Sequence, residues 1–417
     1  MELSQKELQR IKVIENAVEG QMTVGKAAEL LNLSERQVKR LKRRYQASSV
    51  EWVRHGNVGQ KRPWGLKQRV RKKIVNLAKT KYAGFNDTHL CEKLAEQEGV
   101  SVSRETVRRV LRGAGRASPQ KRRGKKYRAR RERRPRMGEM VLADGSRHDW
   151  LEGRGPAMTL LGFQDDATGR MLAARFQLEH EDTWGYLRRL REMVDQYGIP
   201  LSLYRDRHGT FQRNDPHWTV EEQLAGRQTP TQLGRALEEL GIQQIAALSA
   251  QAKGRIERVW RVFQDRLISE LRLAKACNLE QANRVLAEFI EHYNVRFAKP
   301  PRDAASDFRA VPKKLNLDRI LSLRYDRVVL NNHVVPLGAK SIQLPALPGG
   351  RGYARATVEL SHQANGELHV WLGNRHLYQT ALPTEYAIGL APKRPAARKR
   401  KSPRIYNYAG RPALGAR

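Results

Sequence analysis

The amino-acid sequence predicts a multidomain protein, with all-α units at the N-terminus, a central α/β domain and a small β-barrel towards the C-terminus. Three observations lead to this prediction. Helical periodicity with good capping residues runs through the first 115 residues. Short apolar runs then alternate with helical segments to about residue 310. Between residues 323 and 377, short stretches alternate apolar and polar positions, as strands do.

Composition points to a nucleic-acid partner. The chain has 417 residues, and its 79 Lys and Arg against 43 Asp and Glu give a formal net charge of +36. Such a surplus predicts a polyanionic partner. A membrane is disfavoured because no apolar run approaches the roughly 20 residues of a spanning helix. Only Cys91 and Cys277 occur, which excludes a disulfide framework or a zinc finger. We therefore expect a soluble intracellular protein that binds nucleic acid.

The first predicted DNA-binding unit covers residues 5 to 46. A short helix and a turn lead to Ser34, a good N-cap for a second helix that buries Val38 and Leu41. This second helix has a basic face, which is typical of a recognition helix that enters a major groove. A plain helical hairpin with a solvated basic face is the alternative. The expected DNA contacts are Arg36, Lys39, Arg40 and Arg43.

A second helical unit is predicted over residues 66 to 115. Asp87 and Ser103 are the expected N-caps, and Gly99 and Gly113 the expected helix stops. Its last helix again has the pattern of a recognition helix, so two units in tandem predict recognition of a long DNA site. The arginines expected to point outward are Arg104, Arg108, Arg109 and Arg112.

A strongly basic segment follows. Between residues 116 and 136, twelve of 21 residues are Lys or Arg and only Glu132 is acidic. No core can form there, so we expect a linker that is disordered unless it lies along DNA phosphates. A localisation signal is the alternative.

The pattern then changes to that of a mixed α/β domain, whose order β-β-β-α-β-α-β-α is that of a ribonuclease H-like domain. The predicted strands are residues 140–144, 171–178, 201–206 and 242–248, together with a strand and a following Asp-rich turn within 157–169. The predicted helices are 181–197, 229–241 and 249–271. A polar insertion of residues 212–227 lies between the fourth strand and the second helix.

The last of these helices combines an apolar stripe with a charged face. Off the stripe, Lys253, Glu257 and Arg261 are four residues apart and share one face. This arrangement is explained if the carboxylate binds a divalent metal at a DNA phosphate while the two cations hold the DNA strand. Ordinary intrahelical ion pairs are the alternative. The stripe consists of Ile256, Val259, Trp260, Phe263, Leu267 and Leu271.

Three carboxylates are expected to converge at one edge of the predicted sheet. Asp144 ends the first strand, Asp206 ends the fourth, and Glu257 lies on the helix after the fifth. Together they would repel each other unless a cation neutralises them, and Mg²⁺ prefers oxygen ligands. Two Mg²⁺ ions, with Mn²⁺ as the expected substitute, would support an in-line displacement at phosphorus. Three acids are rivals for the role of Asp144: Asp149, Asp165 and Asp166. Asp144 could instead cap a strand end, and Asp206 could pair with a neighbouring arginine, Arg205 or Arg207.

Three segments carry a resemblance to a known family. ADGSRHDWLEGRG, YRDRHGTF and SAQAKGRIERVWRVFQDRL resemble the three acidic motifs of DDE transposases with an integrase-like core, and among these the ISNCY-type bacterial insertion-sequence transposases. The resemblance covers roughly residues 1 to 310. It implies that Asp144, Asp206 and Glu257 form a metal-binding triad and that Lys253 and Arg261 contact DNA. The 51 residues from Asp206 to Glu257 are more than is usual in such enzymes, and the polar insertion accounts for the excess.

The resemblance also implies a function. The expected protein binds the terminal inverted repeats of its mobile element, cuts them with Mg²⁺ and joins them to target DNA. Its expected partners are double-stranded DNA and at least one further copy of itself, and its expected location is the bacterial cytoplasm, at the nucleoid. A DNA-binding regulator on an inactivated scaffold and a structural nucleoid protein are the alternatives.

The C-terminal region completes the predicted organisation. Asn365-Gly366 is a strong hairpin signal within the expected β-barrel, and a basic tail follows. The predicted domains are helix-turn-helix units at 1–55 and 65–115, a basic linker at 116–137, the catalytic core at 138–310, the β-barrel at 318–385 and the tail at 386–417.

Overall fold

The computed structural model describes most of the chain, and its described residues form two compact units, residues 1–75 and 76–417. Among the described residues, no helix combines the length and the apolar character needed to cross a membrane. Lys253 and the C-terminal tail lie outside the described residues. The described ranges are 4–47, 50–53, 65–118, 131–178, 180–213, 215–247, 254–345 and 352–388.

The N-terminal unit contains the predicted helix-turn-helix. Its helices are α1 (Gln5–Val18), α2 (Val24–Leu31) and α3 (Glu35–Ala47). Asn32 ends α2 in the left-handed conformation, with φ 49°. The predicted cap is confirmed, because Ser34 Oγ accepts the backbone N–H of Gln37 at 3.3 Å and the Gln37 side chain accepts that of Ser34 at 2.9 Å. Val38 is buried as predicted, whereas Leu41 is only partly buried.

The next helices are α4 (Gln68–Lys79), α5 (Asp87–Glu98) and α6 (Arg104–Gly113). Ser103 caps α6 as predicted, and Gly99 ends α5 with φ 64°. The other predicted cap is wrong by one residue. Asn86, rather than Asp87, caps α5, because its Oδ1 accepts the backbone N–H groups of Thr88 and His89 at 3.0 and 2.8 Å. The predicted stop Gly113 is the last residue of α6, and Ala114 is its C-cap.

Arg112, which was expected to point outward, is instead half-buried. Its guanidinium donates to the carboxylate of Asp87 at 2.6 Å and to the backbone carbonyl of Arg116 at 2.9 Å. The charge of Asp87 thus fixes an arginine within the unit, which the basic pattern of α6 alone does not reveal.

The end of the predicted basic linker is ordered. Residues 131–137 are described, and their arginines bond to the central domain. Arg131 reaches the buried carboxylate of Asp166 at 2.6 Å, and Arg136 reaches Asp303 at 2.6 Å. The expectation of a disordered segment is therefore wrong for these residues, because carboxylates of the core supply the anions that DNA was expected to supply.

A mixed five-stranded open sheet forms the central domain, in the order β3-β2-β1-β4-β5. β1, β2 and β3 are antiparallel neighbours, whereas β4 lies parallel to β1 and β5 parallel to β4. The strands are β1 (Val141–His148), β2 (Met158–Asp165), β3 (Met171–Leu178), β4 (Ser202–Arg205) and β5 (Gln243–Ala246). The helices are α7 (Thr183–Tyr197), α8 (Val220–Ala225), α9 (Gln232–Glu239), α10 (Ile256–Leu273) and α11 (Leu279–Phe297). The predicted order of elements is observed, with the short α8 added within the polar insertion.

Both faces of this sheet are covered by helices. Leu142, Leu160 and Phe176 pack in one apolar cluster with α10 and α11. Val141 and Leu161, on the opposite face, pack with α7 and α9. Every residue of β2 is consequently buried. All six residues of the predicted stripe on α10 are buried, and α10 begins at Ile256. Residues 249–253 of the predicted helix lie outside the described residues.

Helix α5 is attached to α10 by charged side chains. Glu270 on α10 accepts from His89 at 2.6 Å and from Lys93 at 2.9 Å. Arg266, also on α10, forms a two-pronged ion pair with Glu92 at 2.7 and 3.1 Å. These contacts tie a helix of the second helical unit to the helix that begins beside Glu257.

The outer edge of β3 is occupied by two asparagines of α11. Asn294 accepts the backbone N–H of Met171 at 2.8 Å and donates to its carbonyl at 2.9 Å. Asn283 does the same at Phe176, at 2.8 and 3.2 Å. The side-chain amides therefore take the place of a neighbouring strand.

The C-terminal strands form two open sheets, in the orders β11-β10-β9-β6 and β7-β8. The predicted hairpin at Asn365-Gly366 is confirmed between β9 and β10, with Gly366 at φ 83°. A closed β-barrel is not shown, because β6 and β11 remain edges of their sheet among the described strands. The elements are α12 (Leu317–Ile320), β6 (Leu323–Val328), β7 (Val334–Pro336), β8 (Ser341–Gln343), β9 (Thr357–His362), β10 (Glu367–Leu372) and β11 (Arg375–Ala381).

Candidate active site

Two of the predicted acids come together through strand register. β1 and β4 are parallel, with Val141 opposite Leu203 and Leu142 opposite Tyr204. Two residues further along lie Asp144 on β1 and Asp206 directly after β4, so both acids reach the same level on neighbouring chain segments. Asp144 does not end its strand as predicted. β1 continues to His148 because β2 pairs with it along its whole length.

Helix α10 reaches the same place through Trp260. The indole Nε1–H of Trp260 donates to Asp144 Oδ2 at 3.0 Å. Its ring lies over Gly162, the partner of Asp144 on β2, where a Cβ atom would come within 2.8 Å of the ring. Glu257 lies one turn before Trp260 and is exposed. The first turn of α10 is thus adjacent to Asp144.

Local hydrogen bonds hold the segment around Asp206. Asp206 Oδ1 accepts the backbone N–H of His208 at 2.9 Å. The guanidinium of Arg205 donates to the backbone carbonyl of Asp206 at 2.9 Å and to Gln212 Oε1 at 2.7 Å. These bonds fix the backbone that follows β4.

The three rival acids have local structural contacts. Asp149 Oδ1 accepts the backbone N–H of Gly153 at 3.1 Å. Asp165 accepts the backbone N–H of Gly138 at 3.0 Å and that of Thr168 at 2.7 Å. Asp166 is fully buried and pairs with Arg131 and Arg255. Each of the three rival acids therefore has a structural partner among the described residues.

Glu181 is an acid of this region that the sequence patterns do not single out. It precedes α7, and its Oε2 accepts the hydroxyl of Tyr186 at 2.7 Å. Burial raises the pKa of Glu181, and the charges of Asp144 and Asp206 raise it further, while Tyr186 and His208 oppose the rise. A sequence signal for the position of Glu181 is the glycine after Asp144, because a Cβ atom at Gly145 would collide with the Glu181 side chain.

The donor set fits a hard cation, because carboxylate oxygens are the ligands that Mg²⁺ prefers. Within the described parts of the chain, however, no three His, Cys, Asp or Glu side chains are close enough together to hold one ion. Asp144 and Asp206 are brought together, and Glu257 lies on the adjoining helical turn. Arg261, one turn after Glu257, is exposed.

The basic residues predicted to contact DNA are exposed where the structure describes them. In the N-terminal unit they form one face of α3, namely Arg36, Lys39, Arg40 and Arg43. On α6 they are Arg104, Arg108 and Arg109. Arg108 also binds Glu105 through two hydrogen bonds of 2.9 and 2.8 Å, so part of its charge is neutralised within the helix.

Comparisons with known proteins agree with the sequence motifs. A helix-turn-helix domain family matches residues 9–51. The putative transposase y4bF of Sinorhizobium fredii (strain NBRC 101917 / NGR234) is 37% identical over 381 residues, which cover 90% of this chain and 81% of that protein. The transposase for insertion sequence IS1202 of Streptococcus pneumoniae is 32% identical over 365 residues, which cover 78% of this chain and 76% of that protein.

Solved structures of integrases are more distant. The magnesium-bound catalytic core of HTLV-2 integrase is 14% identical with a TM-score of 0.26, and the match covers 36% of this chain and 85% of that one. A simian T-cell lymphotropic virus intasome in complex with the PP2A regulatory subunit B56 gamma is 13% identical with a TM-score of 0.31. The match covers 77% of this chain and 100% of that one.

Proposed function

This chain belongs to the insertion-sequence transposases, and we propose that it cuts the ends of its own mobile element and joins their 3′-hydroxyls to target DNA in a Mg²⁺-dependent reaction. The observation that carries this proposal is the strand register that brings Asp144 and Asp206 to the same level, together with the hydrogen bond from Trp260 to Asp144. Two acids at one level beside the start of α10 suit chemistry at a phosphate.

In this proposal Asp144, Asp206 and Glu257 hold the metal. Bound Mg²⁺ would activate the attacking oxygen and stabilise the leaving one in an in-line displacement. Trp260 fixes the orientation of the Asp144 carboxylate, and the bond from the N–H of His208 orients that of Asp206. Arg261, with Lys253 outside the described residues, would hold the DNA strand next to the acids. Water attacks in cleavage and a DNA 3′-hydroxyl attacks in joining.

The rest of the chain would deliver DNA to this site. We propose that α3 and α6 read the terminal repeats from major grooves, since both expose rows of arginines on capped helices. Two element ends must meet before they are joined, so at least a dimer is required. The proposed domains keep the boundaries predicted from sequence, with the C-terminal sheets and the basic tail as accessory contacts.

One observation favours a second candidate. Glu257 is exposed, and no three acidic, His or Cys side chains form a metal group among the described residues. A sequence-specific DNA-binding regulator on an inactive scaffold would be consistent with this arrangement. It predicts binding to the element ends without cleavage.

A cleavage and strand-transfer assay tests the proposal. Labelled duplexes from the DNA that flanks the gene are incubated with the full chain in Mg²⁺ or EDTA. We expect nicks at one fixed position in Mg²⁺ only. Asp206→Asn and Glu257→Gln should reduce cleavage at least about 100-fold, the scale of losing one electrostatic contact to the transition state. Both variants should bind the ends as the unaltered chain does.

Asp149→Asn is the matched control, because Asp149 is a nearby acid that bonds only to a local turn in the described contacts. Full cleavage by Glu257→Gln would show that the triad assignment is wrong. Binding without cleavage in any metal would favour the regulator. Equal competition by unrelated duplex DNA would favour a structural nucleoid protein.

A further inference from the structure

We propose that the exposed face of α4 binds the sugar–phosphate backbone of duplex DNA and holds it whatever its base sequence. The inference rests on the proposed function for the identity of the polyanion, and it adds a DNA contact that the proposed roles of α3 and α6 do not include. The basic face of α4 consists of five exposed residues, namely Arg69, Lys72, Lys73, Asn76 and Lys79.

Helical geometry places these residues in one row. α4 packs through Ile74 and Ala78, which are 0% and 3% exposed. At 100° per residue the basic face lies on the opposite side of the helix, because its members are three, four and seven positions apart. The row from Arg69 to Lys79 is about 15 Å long, at a rise of 1.5 Å per residue. A DNA strand carries one phosphate per roughly 3.4 Å of duplex axis, so this row is long enough to meet several phosphates.

The charge of α4 is not balanced by acids. Five of its 12 residues are Lys or Arg, and none is Asp or Glu. Among the described residues, Arg69, Lys72 and Lys79 form no ion pair. A helix face that is merely solvated typically carries both signs of charge, with ion pairs along the helix. The basic face of α4 therefore has the charge that complements a polyanion.

The two proposed recognition helices differ from α4 in this respect. On α3, Lys39 lies 3.7 Å from the carboxylate of Glu35. On α6, Arg108 lies 2.8 Å from the carboxylate of Glu105. Each of these helices neutralises part of its own charge, whereas α4 contains no acid that could do so.

Repulsion within α4 also favours an anionic partner. Arg69 precedes Lys72 by three positions and Lys73 by four, which are the spacings at which side chains meet on a helix surface. Like charges at these spacings destabilise a helix. Phosphates placed along the row would remove this repulsion, and their condensed counterions would be released into solution.

The residue types point to the backbone of DNA rather than to its bases. Three of the four cations in the row are lysines. The lysine ammonium is a compact point charge that suits a phosphate, whereas two-pronged recognition of a guanine edge is typically made by arginine. Contacts to phosphates fix the position of a protein on DNA and carry no sequence information.

The test measures binding of the full chain to an element-end duplex and to an unrelated duplex at several salt concentrations. For Lys72→Ala we expect the slope of log Kobs against log salt to become shallower by about 1 on both duplexes. Both affinities should fall by the same factor, about 10-fold near 0.1 M salt, so that their ratio is unchanged. Lys81→Ala is the matched control, because Lys81 follows α4 and pairs with Glu98 at 3.0 Å. It should leave both slopes unchanged.

A second variant separates DNA binding from folding. Lys72→Glu places an acid three positions after Arg69, so repulsion within α4 is replaced by attraction. We expect the midpoint of thermal unfolding without DNA to stay the same or to rise. The salt slope should nevertheless become shallower by at least about 1 on both duplexes. A purely structural role of the basic face does not predict this combination.

The remaining outcomes would overturn the inference. Unchanged slopes for both Lys72 variants would mean that the basic face of α4 is only solvated. A loss of affinity confined to the element-end duplex would mean that α4 reads bases. The proposed function is decided separately, by metal-dependent cleavage. Shallower slopes in a chain that does not cleave would support the inference while the proposed function fails, and cleavage with unchanged slopes would do the reverse.

Discussion

Two adjacent aspartates show how much the surroundings of a residue decide its role. Asp165 and Asp166 follow one another at the end of β2, and both are buried. Burial raises the pKa of Asp165, and the hydrogen bonds from Thr168 and Gly138 offset only part of that rise. Burial also raises the pKa of Asp166, but the hydrogen bonds from Arg131 and Arg255 lower it more. The pKa of Asp166 therefore lies below its usual value.

Asp166→Asn should therefore destabilise the fold. It removes the anion from two arginines, one of which, Arg255, is mostly buried, and we expect a loss of about 2–3 kcal/mol at pH 7. A carboxylate whose pKa is lowered on folding stabilises the protein above its unfolded pKa, about 3.9, and less as the pH falls through the folded pKa. The difference from the unaltered chain should hold from pH 7 to 5 and shrink below about pH 4.

Denaturant unfolding at each pH provides the measurement. Asp149→Asn, at an exposed turn, serves as the control and should change stability little at any pH. A difference for Asp166→Asn that grows in acid would contradict the assignment of this aspartate to its arginine pair.

At this scale the sequence singles out some acids of the candidate site and not others. Asp144 and Asp206 are proposed from predicted strand ends and from motifs that resemble a family, although Asp144 lies inside β1. The position of Glu181 near them is not predicted, because it depends on Gly145, on Tyr186 and on the packing of α7 against the sheet. The same limit applies to Arg112, whose partner Asp87 lies 25 positions away.

Among the elements, β3 and α11 show how an edge strand is closed without another strand. Asn283 and Asn294 satisfy the backbone groups of two residues that face away from β2. The apolar pattern of α11 predicts a helix but not this role, since an asparagine at a helix surface is ordinarily solvated. Which residues of a helix lie opposite which residues of a strand depends on tertiary packing, and the local sequence pattern does not predict it.

Asn294→Ala should leave the N–H and carbonyl groups of Met171 without these partners. We expect a loss of about 1–3 kcal/mol, the cost of unsatisfied backbone groups, and faster aggregation through the exposed edge. Chemical unfolding and light scattering on heating would measure the two effects. Glu288→Ala, an exposed residue of the same helix, is the matched control. Equal behaviour of the two variants would mean that the asparagine does not protect the edge.

Element boundaries differ from prediction for tertiary reasons. β1 is longer than its apolar run because β2 pairs with it up to His148, whose side chain is exposed. α10 begins at Ile256, the first residue of its apolar stripe, so residues 254 and 255 of the predicted helix precede it. Helix α8 forms in a segment that is polar overall, and Thr219 and Glu222 form a capping box at its start. Hairpin and capping signals predicted best, since both are local in the sequence.

The whole molecule is marked by its charge of +36. Part of the positive charge is neutralised by ion pairs within the chain. The arginines that pair with carboxylates include Arg131, Arg136, Arg266 and Arg272. Composition therefore predicts a polyanionic partner but not which cations meet it. Exposed cations on a recognition helix are better candidates than the basic segment next to the core.

The salt dependence of DNA binding distinguishes these cations. Each phosphate contact adds about −0.9 to the slope of log Kobs against log salt concentration, so roughly six contacts give a slope near −5. We expect Arg40→Ala, on the exposed face of α3, to make the slope shallower by about 1. Arg284→Ala, an exposed arginine of α11 that pairs with Glu280, should leave it unchanged. Binding of an element-end duplex to the full chain, measured at several salt concentrations, gives both slopes. Equal changes for the two variants would mean that DNA spreads over the basic surface as a whole and that α3 is not a recognition helix.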